Sequence, residues 1–175
     1  MDSQLREKVA TPLKPHYRRA TVADAIVLAP RLREADKDEY RAYLGMEPEV
    51  ALALDIANST GENWAMIGSD GEVFGLFGID AVDQHPTFGI VWMLSSPDIF
   101  KYRREFIKAT SAALEMLHGK FPLIGNHIDA RNTVHVRWLK RLGFSFLRTI
   151  PEFGVERRPF HEFARLRSPE CVIQP

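Results

Sequence analysis

The chain has 175 residues, 23 Lys or Arg against 23 Asp or Glu, 45% apolar residues and one cysteine. That fits one domain with a single core, and it excludes an internal disulfide or a cysteine-based metal cage. The opening Met1 to Lys8 is charged and mixed in sign, unlike a signal or transit peptide, and no apolar run approaches the roughly 20 residues of a membrane span, so a soluble protein is expected.

Residues 1–15, with Pro12 and Pro15 among polar residues, read as a mobile leader. His16 to Ala20 is a plausible strand, and Thr21 to Asp24 has the form of a capping box for a helix from about Val22 to Glu34. Asp36 to Leu44, stopped by Gly45, and Pro48 to Asn58 read as two more helices, the latter offering Val50, Leu52, Leu54 and Ile56 as apolar surface. Asn63 to Ile67 and Val73 to Ile79 are strands around the turn signal Ser69-Asp70-Gly71. A polar loop, Asp80 to Pro86, leads into a strand from Thr87 to Leu94.

Ser95 or Ser96 then caps a long helix opened by Pro97 and ending at His118-Gly119. Its inner face is expected to hold Phe100, Phe106, Ile107, Thr110, Leu114 and Leu117. A strand from about Leu123 to Ile128 follows. Asn132 caps a helix carrying Val134, Trp138, Leu139 and Leu142, with Trp138 expected beneath the sheet, and Gly143 ends it. Phe144 to Ile150 and Pro159 to Leu166 should pair antiparallel, leaving residues 168–175, with Cys171, as a tail.

The run from Ile124 to Phe144, with Asn132 set back from Gly143, resembles the last conserved segment of the GNAT acyltransferase superfamily. The order of elements over residues 16–167 is similar as well. The resemblance implies an α/β GNAT fold, with a mixed central sheet, splayed fourth and fifth strands and flanking helices. Trp92, Asn126, Asn132, His135, Trp138, Leu139 and Gly143 resemble most the pattern of short GNAT-like proteins of tailed phages. By that resemblance the activity is acyl transfer from acetyl-CoA to an amine of a protein or small molecule, in a host cytoplasm or a virion. The alternative it carries is a scaffold without chemistry, acting as an internal virion component or binding a host protein.

Charge agrees with an anionic cofactor. Residues 1–90 carry 9 basic and 15 acidic side chains, and residues 91–175 carry 14 and 8. GNAT enzymes hold pyrophosphate on free amides at the start of the long helix, where the helix dipole is positive. Here that stretch lacks glycine and contains Asp98, so the expected cofactor contacts are Met93 and Leu94 on the strand, the hydroxyls of Ser95 and Ser96, and the cations Lys101, Arg103 and Arg104. Asn132 is expected to cap its helix and to touch the cofactor.

The usual acid of the superfamily is a Tyr four residues before the Gly-Phe pair. That position is Leu139, which leaves Tyr102, Ser95 or water. Candidate bases are Asp80, Asp83 and His85 in the loop, and His127 and Asp129 at the end of the fifth strand. Each also reads as a solvated or structural polar residue. The six histidines show no metal-binding spacing. The basic Arg131, Arg137, Lys140 and Arg141 read as the wet face of a helix rather than a nucleic-acid contact.

Overall fold

Thr21 and Asp24 make the expected capping box, each side chain accepting from the other residue's N–H. Arg18 grips the same Asp24 carboxylate through bonds of 2.7 and 2.8 Å, which ties the first strand to the first helix. The computed structural model describes residues 14–167. The tail with Cys171 and most of the expected leader therefore lie outside the described residues.

The strands are β1 (His16–Arg19), β2 (Glu62–Ile67), β3 (Val73–Ala81), β4 (Phe88–Ser95), β5 (Leu123–Asp129), β6 (Ser145–Phe153) and β7 (Arg158–Leu166). The helices are α1 (Val22–Leu28), α2 (Glu34–Leu44), α3 (Pro48–Asn58), α4 (Arg103–His118) and α5 (Thr133–Arg141). The strands form one sheet in the order β1-β2-β3-β4-β5-β7-β6. Every neighbouring pair is antiparallel except β4 and β5, which are parallel, as expected of a mixed GNAT sheet.

Each face of the sheet has its own core. On one face α4 and α5 supply Leu114, Leu117 and Leu139 against Phe77, Ile124 and Phe163. On the other, α1 and α3 supply Leu28 and Leu52 against Leu76 and Leu94. No helix among the described residues is long and apolar enough to cross a membrane.

Several expected boundaries shift for local reasons. α1 ends at Leu28 rather than near Glu34, because Pro30 lacks an N–H and turns the chain into a short 3₁₀ segment, Ala29–Arg31. The expected helix from Pro97 is divided: Pro97–Phe100 is a 3₁₀ turn capped by Ser96, and α4 begins only at Arg103. Phe100 and Ile107 are consequently exposed, and the inward stripe is Phe106, Thr110, Leu114 and Leu117 at helical spacing. Val50 and Leu54 are also exposed, whereas Leu52 is fully buried.

α5 departs from expectation in the same way. Val134 is 46% exposed and Trp138 only half-buried, while Leu139 is the buried residue of the helix. Trp138 leans along the flank of the core onto Phe106, with ring centres 5.2 Å apart.

Candidate active site

β4 and β5 pair through only three positions, Phe88 with Leu123, Gly89 with Ile124 and Ile90 with Gly125, and then diverge. Backbone groups along a strand alternate sides. Ser96 N–H donates to Phe74 on β3, so Leu94 and Trp92 face β3 as well, while Val91, Met93 and Ser95 face the gap toward β5. Within that gap side chains take the place of strand pairing. Asn126 Nδ2 donates to the Val91 carbonyl at 3.0 Å, and its Oδ1 accepts from the His127 N–H at 2.7 Å. The Ser95 N–H donates to Asp36 at 3.2 Å, and the Asp129 N–H to Glu39 at 3.4 Å. Asp36 and Glu39 are neighbours on one face of α2, so a single helix engages both diverging strands. The N–H and C=O of Met93 are left opening into the gap.

A cavity of about 750 Å³ occupies this gap and is lined from both sides of the sheet. Toward α4 and α5 its walls are apolar, with Phe106, Leu114, Trp138 and Leu139. Toward α2 and α3 they carry Glu39, Tyr40, Asp55, Asp80 and His127. Burial, reinforced by the negative charge of Asp36, raises the Glu39 carboxyl to about 8. Burial likewise raises Asp36, and the paired Arg33, the Ser95 N–H and Asn132 oppose that rise. Asp55 is raised by burial and by its neighbour Asp80. His135, on the cavity wall, is lowered to about 3 by burial and by Arg33, and so is neutral near pH 7. His127 is lowered by burial and stacks on Phe153 at 4.6 Å.

No protein-family model matches this sequence, and no match is found among curated proteins. Solved structures do match. The chain is similar to Ard1 of Thermoplasma volcanium (TM-score 0.66, 14% identity, covering 89% of this chain and 99% of that one). It is similar to a GCN5-related N-acetyltransferase of Kribbella flavida (TM-score 0.62, 17% identity, 87% and 97% covered). It is also similar to yncA of Salmonella typhimurium, solved with its cofactor acetyl-CoA (TM-score 0.62, 14% identity, 90% and 96% covered). The fold is the GNAT fold.

Within this GNAT fold the sequence-expected residues separate into groups. Asp80 and His127 line the cavity, Asp80 accepting from Ser59 Oγ at 2.6 Å and Trp92 Nε1 at 3.0 Å. Met93 and Leu94 line it too. Asp83 and His85 are exposed in the turn before β4 and do not line it. Tyr102 is buried away from the cavity, its hydroxyl donating to Asp70 at 2.9 Å. Asp129 is buried and held by Arg131.

The expected cofactor side chains are similarly divided. Ser95 and Ser96 are fully buried rather than presented to a ligand; Ser96 Oγ accepts from the Asp98 N–H. Lys101 is paired with Asp70 at 2.8 Å, whereas Arg103 and Arg104 are exposed. Asp98 is neutralised by Arg31 at 2.8 Å. Asn132 is buried, accepts from the His135 N–H as the helix cap, and donates to Asp36.

Glu39, Tyr40 and Asp55 were absent from the candidates read off the sequence. The available signal was the spacing of Asp36, Glu39, Tyr40 and Tyr43, which places polar and aromatic groups on one face of α2.

Proposed function

We propose that this protein is an N-acetyltransferase that transfers an acetyl group from acetyl-CoA to an amine. The observation that carries the reading is the Met93 peptide group opening into a cavity that also holds a carboxyl group titrating near neutrality, Glu39. Two features of the chain fit the cofactor. The apolar walls between α4 and α5 suit an uncharged pantetheine arm. At the start of α4 the N-cap Tyr102 makes no side-chain capping bond, and Arg103 and Arg104 stand exposed beside the free amides of the first turn. Asn132 and Ser96 are occupied by internal bonds and the Ser95 hydroxyl is fully buried, so the phosphate contacts fall first to Arg103 and Arg104, with Lys101 paired to Asp70.

Acetyl-CoA would supply an electrophilic thioester carbon and depart as the thiol. Glu39, as its carboxylate, takes the proton from the acceptor ammonium and leaves the amine lone pair free to form the C–N bond as the C–S bond breaks. The Met93 N–H points at the negative charge developing on the acyl oxygen. Leu139 has no proton to return to the sulfur, so that proton comes from water. His127 and Asp80 border the acceptor side of the cavity and act there by position and charge.

Calorimetric titration with acetyl-CoA, followed by thiol release in the presence of amines, tests the reading. Binding and turnover are expected in the native protein, with turnover lost in Glu39→Gln. A second reading, a GNAT scaffold of a tailed phage working in the virion or against a host protein, draws on Leu139 at the acid position and the glycine-free α4 start. Absence of acetyl-CoA binding at millimolar ligand would favour that scaffold.

A further inference from the structure

Carboxylates buried elsewhere in the molecule have arginine partners: Asp24 with Arg18, Asp36 with Arg33, and Asp129 with Arg131. The three that line the cavity, the half-buried Glu39 and Asp80 and the rim residue Asp55, do not. Asp55 accepts from Tyr40 Oη at 2.8 Å, Asp80 from Ser59 and Trp92, and Glu39 from the Asp129 N–H, all of them neutral donors. Among the described residues no lysine or arginine lines the cavity. A recess that collects three carboxyl groups and, among the described residues, no cation attracts a positively charged occupant.

The walls around these groups describe that occupant further. Tyr40, Tyr43 and Trp92 line the same side of the cavity and suit both methylene groups and ammonium ions against aromatic faces. Asp55 and Asp80 lie close enough for the charge of one to disfavour ionisation of the other. Glu39 sits beside the strand gap, where it accepts from the Asp129 N–H. The tip of the β6–β7 hairpin is fastened to α2, with Val155 and Glu156 N–H groups donating to the Tyr43 and Ala42 carbonyls at 3.2 and 3.1 Å, and with Phe153 stacked on Tyr43 at 5.3 Å. The hairpin tip thereby closes one side of a cavity of small-molecule size.

We infer that the acceptor is a small alkyl diamine or polyamine, its reacting amino group at Glu39 and a second ammonium held by Asp55 and Asp80. This rests on the acetyltransferase reading above, and it adds the requirement for two positive charges.

The test compares 1,4-diaminobutane, 1-aminobutane and a short peptide with a free N-terminus as acceptors, by thiol release with acetyl-CoA. In parallel, 1,4-diaminobutane alone is titrated into the protein by calorimetry. The diamine is expected to exceed the monoamine in kcat/KM by about 10-fold or more, since a charge-assisted contact is of that order. Asp55→Asn should bring the diamine down toward the monoamine and weaken its direct binding, as should added salt. Asp55 is exposed at the rim, so this variant keeps its fold, whereas Asp80 also supports Trp92 and Ser59. Diamine binding that weakens in Asp55→Asn, without acetyl transfer to any amine, would overturn the acetyltransferase reading and leave the dication site standing. Transfer to the monoamine or the peptide at rates equal to the diamine would overturn the dication site and leave the acetyltransferase standing.

Discussion

Glu39 is one turn beyond Asp36 on α2, and its position fixes its chemistry. An ordinary glutamate is ionised at neutral pH and too weak a base for an ammonium, but burial and the Asp36 charge bring this one to about 8. kcat/KM is therefore expected to rise with pH through a limb near 8, and Asp36→Asn should move that limb downward, as measured in a pH–rate profile. Stability should run the other way. A carboxyl whose folded pKa is raised stabilises the folded state fully below its unfolded pKa, and the contribution is lost as pH rises through the folded pKa. Urea unfolding at pH 5 and pH 9 should show native stability falling relative to Glu39→Gln, which has no such titration. Only the Asp36 charge is local in the sequence; the burial that dominates the shift comes from tertiary packing beside β5, where the Asp129 N–H, 90 residues away, donates to Glu39. Asp80 and His127 were legible because they end strands that already read as strands.

At the scale of elements, the helices around the gap show what periodicity reveals and where it stops. The apolar spacing in α4 and α5 was legible, and so were both helices; which apolar residue faces inward was not. In α5 the choice between Val134 and Leu139 depends on how the helix lies against α4 and the cavity, a tertiary fact. Trp138 is half-buried on the cavity wall, so Trp138→Ala should cost less than a fully buried tryptophan, about 1–3 kcal/mol in urea unfolding. A loss above about 4 kcal/mol would place the indole deep in the core.

The start of α4 gives a second prediction at this scale. Lys101 is already paired with Asp70, so Arg103 and Arg104 are the cations available to a phosphate. Arg103→Ala combined with Arg104→Ala should weaken acetyl-CoA binding by about 10-fold or more in calorimetry, with Lys101→Ala adding less. An unchanged affinity in the double variant would place the phosphates elsewhere.

The whole molecule is organised around a sheet prevented from closing. Parallel strands gain a bond wherever their peptides can meet, and β4 and β5 begin as an ordinary ladder, so the gap persists only because other groups occupy the bonding positions beyond it. Asn126 takes the Val91 carbonyl, Asp36 the Ser95 N–H and Glu39 the Asp129 N–H, groups drawn from a strand and a helix far apart in the chain. Met93 lies between the occupied positions. Its N–H should therefore be the weakly protected amide of central β4, while Trp92 and Leu94, directed toward β3, stay protected. Amide hydrogen exchange followed residue by residue checks this: Met93 is expected to exchange fast in the free protein and to slow when acetyl-CoA is added, as its N–H gains an oxygen acceptor. Exchange as slow as that of Trp92 in the free protein would mean that β5 has closed onto β4, leaving neither the cavity nor the peptide group that faces it.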